Sequence, residues 1–306
     1  MGAEAAAWGV MPALHALLVE PFAFGFMRRA LAGCLALSLA GPPLGVFLVL
    51  RRMSLMGDVL QHGILPGLAL GAMAAGAGAS ALPASAAPWM TPLWAMGLGG
   101  FLAGLAVALL AGALARATGG REDGQLAAVY LVALALGVAL VSRGRGMDLS
   151  HLLFGSVLAV DDPALMLMAG AATAALFGLA VLWRPLIVEG FDPEALRAAG
   201  GGGGRWHLGF LALVVLCVVG GFAALGTLMS VGLMMLPAVA ARHWSERLAG
   251  QVRAAVGLAC LSSASGLLAS YHLDVPAGPA VVLAAGLLWA GSLALGPRES
   301  LRRRGR

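Results

Sequence analysis

Apolar segments long enough to cross a bilayer recur along nearly the whole chain, and only short polar loops separate them. An α-helix rises about 1.5 Å per residue, so about 20 apolar residues span the hydrocarbon core of a membrane. Hydrophobic residues make up 60% of the sequence and charged residues only 11%, which excludes an ordinary soluble domain. We therefore predict an all-α polytopic membrane protein with about nine transmembrane helices, one of them short or broken.

The predicted helices divide the chain into three parts. Residues 1–27 form an extracytoplasmic, partly interfacial lead-in, 28–297 form the transmembrane domain, and 298–306 form a cytoplasmic tail rich in arginine. The segment 226–237 rises only about 18 Å, so it is the helix predicted to be short or broken. A polar loop at 184–205 follows the fifth span. The nine predicted spans are 30–50, 55–76, 92–114, 125–141, 163–182, 207–224, 226–237, 254–270 and 277–295.

The placement of arginine predicts the orientation of these helices. All 19 basic residues are arginine; 15 of them lie in alternate loops or in the C-terminal tail, and four lie on the opposite side. Because cytoplasmic loops carry the excess of basic residues, the C-terminus is predicted to be cytoplasmic and the N-terminus to lie outside. The net charge of +5 therefore reflects membrane topology and does not indicate binding to nucleic acid.

The absence of lysine excludes several kinds of chemistry for this chain. A phosphate-binding P-loop requires its lysine, and Schiff-base catalysis requires a lysine amine. The zinc-protease signature H-E-x-x-H and the nucleophile elbow G-x-S-x-G are also missing. Cys34, Cys217 and Cys260 stand singly in apolar segments, without the spacing of a metal site or a disulfide framework. We predict that the chain is not an enzyme and binds no cofactor of its own.

One polar pair lies inside the second predicted span. Asp58 and His62 are four residues apart, so a helix places both side chains on one face. A charged side chain in the middle of a membrane costs at least about 2.5–3.5 kcal/mol, so such a residue normally faces protein or water and usually has a function. The alternative is a structural pair in which the two side chains satisfy each other between helices.

The backbone beside this pair is irregular as well. Pro66 has no N–H, so the carbonyl of His62 four residues earlier loses its helical donor. A carbonyl left free at membrane depth must be satisfied by protein, water or a ligand. Gly63, Gly67 and Gly71 follow at intervals of four residues and form a stripe that lets another helix approach closely.

Several segments together resemble one family of membrane proteins. Residues 51–67 read Arg-Arg-Met-Ser-Leu-x-Gly-Asp-x-x-x-His, followed by Pro-Gly four residues later. This motif is similar to that of the membrane permeases of bacterial zinc and manganese ABC importers, which have the type II importer fold. Residues 152–160, 191–194 and 231–242 resemble further segments of the same family, so the likeness covers nearly the whole chain. The sequence departs from the family pattern after Glu194, where five glycines follow at 200–204.

The resemblance implies a homodimer in the bacterial cytoplasmic membrane, with the translocation path between two copies of the second span. It implies two separate ATP-binding subunits on the inside and a metal-binding protein on the outside. It also carries Asp58 and His62 over as residues that contact the metal. A carboxylate and an imidazole suit both Zn²⁺ and Mn²⁺, and we favour zinc.

The segment after Pro237 is the predicted contact with the ATPase subunit. Residues 238–251 are predicted to form a short amphipathic helical turn, and related importers place their coupling helix here. An aromatic residue among arginines is typical of an interface anchor. The alternatives are an ordinary interfacial loop and docking at 192–205, where consecutive glycines would transmit motion poorly. The predicted coupling residues are Arg242, His243, Trp244, Glu246 and Arg247.

Other functions and other polar residues carry weaker signals. A siderophore or cobalamin permease shares the segment around Pro237, and a secondary metal transporter would need no ATPase. His151 with Asp148 could relay metal at the outer side, but a polar pair at the lipid edge is the simpler interpretation. His272 and Asp274 flank a predicted turn. The arginine tail is interpreted as a topology signal and a contact with membrane lipid.

Overall fold

The computed structural model of the chain describes residues 15, 17–53, 56–79, 92–118, 122–143, 157–191 and 203–298. In this part of the chain the secondary structure is entirely helical, with two 3₁₀ turns at Glu20–Ala23 and Val157–Ala159. The nine α-helices are α1 (Gly25–Leu50), α2 (Met56–Gly63), α3 (Leu65–Ala79), α4 (Pro92–Thr118), α5 (Glu122–Arg143), α6 (Asp162–Phe191), α7 (Gly203–Ala241), α8 (Leu248–Leu273) and α9 (Ala277–Leu295).

Within the described ranges, six helical stretches are both long enough and apolar enough to cross a membrane. They lie in α1, α4, α6, the first part of α7, α8 and α9, and shorter apolar helices cover Ala127–Ser142 and Leu225–Ala241. The prediction of an all-α polytopic membrane fold is confirmed. Residues 80–91, 144–156 and 192–202, most of the lead-in and the tail beyond Arg298 lie outside the described residues, and so do Asp148 and His151.

Helix α7 reverses direction at Gly226. This residue has φ 78° and ψ 175°, a conformation that an L side chain rarely adopts. The Ser230 hydroxyl donates to the Gly226 carbonyl at 2.7 Å. A Cβ on Gly221 would lie 2.7 Å from the Ser230 hydroxyl oxygen, although nine residues of straight helix would separate the two by about 13 Å. We call the arm before Gly226 α7a and the arm after it α7b; α7b is the helix that was predicted to be short or broken.

The relative directions of α1, α6 and α8 follow from contacts at the two ends of the bundle. At one end, Arg51 pairs with Glu189 at 2.9 Å and lines a cleft with Leu248, the first residue of α8. At the other end, Arg29 pairs with Asp162 at 3.3 Å. Helices α1 and α6 therefore run in the same direction, and α8 begins at the end where they finish.

The predicted loop at 184–205 and the predicted second span both differ from the structure. The loop predicted from 184 onwards begins later, because α6 continues through Pro185 to Phe191. Pro185 lies deep in this helix, where its loss of one hydrogen bond is tolerated between neighbouring helices. The second span, predicted as one helix over 55–76, consists of two helices, α2 and α3, that meet at Ile64.

Helix α1 occupies the centre of the bundle and is the most buried of the long helices. Its Ser38 hydroxyl is hydrogen-bonded to that of Ser263 in α8 at 2.9 Å, with both side chains fully buried. Phe47 contacts Trp183 of α6 edge-on at 5.3 Å between ring centroids, and Phe210 of α7a at 6.2 Å. Helices α6, α7 and α8 therefore pack around α1.

The orientation of the bundle can be tested with single cysteines in a background without Cys34, Cys217 and Cys260. We expect Val275→Cys, exposed in the turn between α8 and α9, to react with an impermeant thiol reagent added to intact cells. Ala249→Cys, exposed near the start of α8, should react only after lysis because its end of the bundle carries the arginine excess. The reverse labelling pattern would contradict the arginine-based orientation.

Candidate functional site

Asp58 and His62 lie on one face of α2. The Nε2 atom of His62 is 3.6 Å from Oδ1 of Asp58. The side chain of Asp58 is 60% exposed and that of His62 is 22% exposed, so the pair opens outward from the single chain. Among the described residues no group of three or more histidine, cysteine or acidic side chains could hold a metal ion. One chain therefore brings two candidate ligands together in its described part.

The His62 ring is oriented by its surroundings. The ring of Tyr130 from α5 packs against it with 5.8 Å between the centroids and a tilt of 35°. The Nδ1 atom of His62 is buried and has no hydrogen-bond partner within the part of the chain that the structure describes. The other ring nitrogen, Nε2, faces Asp58. Nε2 is thus the nitrogen that a metal beside Asp58 could reach.

The junction of α2 and α3 places this pair next to a change in the backbone. Ile64 donates to the Leu60 carbonyl and accepts from the Leu68 N–H, both at 3.1 Å. Pro66 follows in the first turn of α3, where a missing N–H costs no intrahelical bond. A Cβ on Gly137 of α5 would lie 3.0 Å from the Pro66 nitrogen, so α5 packs directly on the junction. The predicted irregularity thus takes the form of a junction between two helices.

The glycine stripe faces helix α4 of the same chain. A Cβ on Gly67 would overlap the carbonyl oxygen of Gly99, and a Cβ on Gly71 would overlap that of Ala95. A Cβ on Gly63 would lie 3.2 Å from Val107. The backbones of α3 and α4 therefore approach as closely as small residues allow. This contact holds α3, which continues from the helix that carries Asp58 and His62, from one side.

Helix α7b packs on the other side of α2. A Cβ on Gly57 would lie 2.8 Å from the methyl group of Met234 and 3.6 Å from Val231. Met234 is 1% exposed, and its backbone also lies against Gly41 and Gly45 of α1. Met234 is therefore a packing residue, and it touches the residue directly before Asp58.

The predicted coupling residues form a turn between α7b and α8. The expected helical turn over 238–251 is wrong in its boundaries: α7b continues to Ala241, residues 242–247 form a turn without a helix, and α8 begins at Leu248. We call residues 242–247 the cytoplasmic turn, following the predicted orientation. His243 is half-buried in it, and Trp244 is 47% exposed. The other predicted coupling residues, which are also exposed, are Arg242, Glu246 and Arg247.

Comparison with known proteins identifies the family. The model of the ABC 3 transport family matches residues 23–296. The chain belongs to this family.

Individual relatives cover most of this chain. It is 27% identical over 277 residues to the manganese import system permease protein ScaB of Streptococcus parasanguinis, covering 90% of this chain and 92% of that one. It is 28% identical over 284 residues to the chelated iron transport system membrane protein YfeD of Yersinia pestis, covering 92% and 90%. The structure of PsaBC from Streptococcus pneumoniae in complex with Fab matches with a TM-score of 0.77 and 25% identity over 92% of this chain and 96% of that one. The family resemblance seen in the sequence is confirmed.

The structure also contains a cluster around Arg51 that was not predicted from the sequence. The side chain of Arg51 is only 9% exposed; it pairs with Glu189 and donates to the Leu186 carbonyl at 3.2 Å. Its guanidinium carbon lies 5.1 Å from the centre of the Phe210 ring, and Nη1 is 3.5 Å from Nδ1 of His207. The arginine thus joins the end of α1 to α6 and α7a. The sequence offered one signal for this pairing: Arg51 and Glu189 have opposite charges, and each follows a long apolar segment.

The close contact of α3 with α4 leads to a stability prediction. Gly67→Ala should lower the melting temperature of the purified protein, since its Cβ meets the backbone of Gly99, and overpacking typically costs about 1–3 kcal/mol. Gly170→Ala in α6 is the matched control, because within the described part of the chain its added Cβ has no neighbour within 4 Å apart from the adjoining backbone of its own helix. The control should leave stability unchanged or slightly raised. A thermal unfolding curve of Gly67→Ala equal to that of the wild type would contradict the packing described here.

Proposed function

We propose that this chain is the membrane permease subunit of an ATP-driven importer of a divalent transition metal. The observation that carries the proposal is the paired placement of Asp58 and His62, 3.6 Å apart on one face of α2 and open to the outside of the single chain. Membership of the ABC 3 transport family supports the same function.

The exposure of Asp58 supports a homodimer with the path between two copies of α2. A carboxylate at membrane depth must face protein or water, and the face of α2 with Asp58 is not covered by the described part of its own chain. A two-fold axis beside this face turns two ligands into four, which is enough to bind a metal ion. Each chain therefore contributes half of the site.

The names of the relatives favour manganese over zinc. An aspartate and a neutral imidazole accept Mn²⁺, Fe²⁺ or Zn²⁺, so this pair alone does not select among them. The relatives reported above are named for the import of manganese and of chelated iron. We therefore replace the expectation of zinc with manganese as the first candidate. Neither the siderophore- or cobalamin-type permease nor the secondary transporter without an ATPase is favoured by these comparisons.

The energy for transport comes, in this proposal, from two separate ATP-binding subunits docked on the cytoplasmic turn. The chain has no lysine and so cannot form a P-loop of its own. Helix α7b leads directly from Met234, which touches Gly57, to the turn that begins at Arg242. A movement of the turn would therefore reach the residue next to Asp58 through one short helix. A metal-binding protein outside the bacterial cytoplasmic membrane would deliver the ion to the opposite end.

The metal path can be tested by changing its two ligands. Asp58→Asn and His62→Ala should each lower Mn²⁺ uptake at least about tenfold, because losing a ligand costs no less than losing one of its outer partners. Asp274→Asn, in the exposed turn after α8, is the matched carboxylate control and should transport normally. Uptake of radioactive manganese by a deletion strain expressing each variant measures the effect. Wild-type uptake by both ligand variants would reduce the pair to a structural one.

Coupling can be tested at the cytoplasmic turn. Trp244→Ala combined with Arg247→Glu should release the ATPase subunit or abolish metal-stimulated hydrolysis, because it removes an exposed aromatic anchor and reverses a charge beside it. Metal binding at Asp58 and His62 should persist. Arg253→Glu reverses an exposed charge at the same end outside the turn and serves as the control. Co-purification and hydrolysis at the wild-type level would show that another segment docks the ATPase.

A further inference from the structure

The exposed indole of Trp244 is held in place by the last helix of the chain. Its Nε1 donates to the hydroxyl of Ser292 in α9 at 2.9 Å. The residue is nevertheless 47% exposed, and Ser292 is buried. The polar end of the indole is therefore satisfied inside the protein while much of its apolar ring stays accessible.

A second set of contacts joins the cytoplasmic turn to the residues just after α9. The backbone N–H of Arg298 donates to the carbonyl of His243 at 3.1 Å, and the Arg298 guanidinium pairs with the Glu246 carboxylate. A Cβ on Gly296 would lie 2.7 Å from the Cβ of His243, so the segment directly after α9 lies against the cytoplasmic turn. The first arginine of the predicted tail thus belongs to the surface of the turn.

The turn is also fastened to α8. The side-chain amide of Gln251 donates to the Ser245 carbonyl at 3.0 Å, and the Ser245 hydroxyl accepts from the Arg247 N–H at 3.2 Å. Within the membrane, Val281 of α9 packs on Gly266 of α8, and Val282 packs on Gly232 of α7b. Helices α7b, α8 and α9 therefore meet at the turn and contact one another along their length.

We propose that residues 292–298, which comprise the last residues of α9 and the three that follow it, are a working part of the ATPase-docking surface. They hold the cytoplasmic turn in the orientation in which the Trp244 ring faces the ATPase. This inference rests on the proposed function, because it assumes that the turn docks that subunit. We call the contacts of Ser292 and Arg298 with the turn the C-terminal clamp.

The physical reason for the clamp is preorganisation. A flexible turn would lose backbone and side-chain freedom on docking, which weakens association. An anchor ring already fixed by the Ser292 hydroxyl loses little. The Arg298–Glu246 pair is exposed, so it contributes little to stability in water, and its role is to orient the turn together with the backbone bond to His243.

The clamp can be tested with variants that remove the hydrogen bond between Trp244 and Ser292 and keep an aromatic ring at position 244. Ser292→Ala also removes the bond from its hydroxyl to the Leu288 carbonyl, and the Ser265→Ala control removes an equivalent bond within α8. Trp244→Phe and Ser292→Ala, prepared singly and together, are reconstituted in nanodiscs with the cognate ATPase subunit. Each single variant should weaken ATPase binding about two- to tenfold, the range expected for one hydrogen bond. The double variant should be no weaker than either single one, because all three lack the same bond. Ser265→Ala is the control, since this hydroxyl bonds only within α8.

A charge exchange provides the second measurement. Glu246→Arg and Arg298→Glu should each reduce metal-stimulated hydrolysis, because each breaks the ion pair, and the double exchange should restore it. If the ion pair had no role in coupling, the single variants would show no loss for the double exchange to restore. Normal binding by Trp244→Phe and Ser292→Ala, or fully additive losses in their double variant, would overturn the clamp. If Trp244→Ala with Arg247→Glu still uncouples transport in that case, the docking role of the turn survives without the clamp. If that variant also behaves as wild type, the proposed docking site itself is wrong.

Discussion

The contact between the backbones of Gly67 and Gly99 determines where the candidate metal ligands lie. Any side chain at either position would push α3 and α4 apart. Because α2 and α3 meet at Ile64, a displacement of α3 would move α2 and with it Asp58 and His62. In a lipid environment, where apolar surfaces gain little by associating, such close packing of small residues is a main source of helix association. The position of the polar pair thus depends on a contact between two glycine backbones.

The same small-residue packing connects the ligands to the other end of the bundle. Met234 of α7b lies against Gly41 and Gly57, so α1, α2 and α7b form one packed unit. The reversal at Gly226 makes this possible, because it returns the chain to the centre of the bundle beside α7a. Arg51 then closes the end of the bundle near the start of α8 by joining α1 to α6 and α7a. A rigid unit of this kind has the geometry needed to transmit a displacement between the turn and α2.

Much of the fold was predictable because the membrane imposes a simple pattern on the sequence. The lengths of the apolar segments predicted the helices, and the arginines in alternate loops predicted which helix ends lie on the same side of the membrane. The spacing of Asp58 and His62 gave their common face, since four residues complete about one helical turn. Pro66 correctly indicated an irregular backbone near His62, although the exact form of the junction depends on α5 packing against it.

Contacts between distant segments could not be predicted from the sequence. The partner of the glycine stripe was open, because any helix with small residues at intervals of four would fit. The pairing of Arg51 with Glu189 depends on α6 extending beyond Pro185, which local rules argue against. The attachment of Trp244 to Ser292 joins residues 48 positions apart, and nothing in either segment alone indicates it.

The central claim is that each chain supplies half of a metal site that a second copy completes. The most direct test is the stoichiometry and ligand set of Mn²⁺ bound to the purified permease, measured by electron paramagnetic resonance with detection of nitrogen couplings. We predict one Mn²⁺ ion for every two chains, coordinated by two imidazole nitrogens, and the loss of both nitrogen couplings in His62→Ala. One ion per chain with a single imidazole, or binding that is unaffected by His62→Ala, would contradict it.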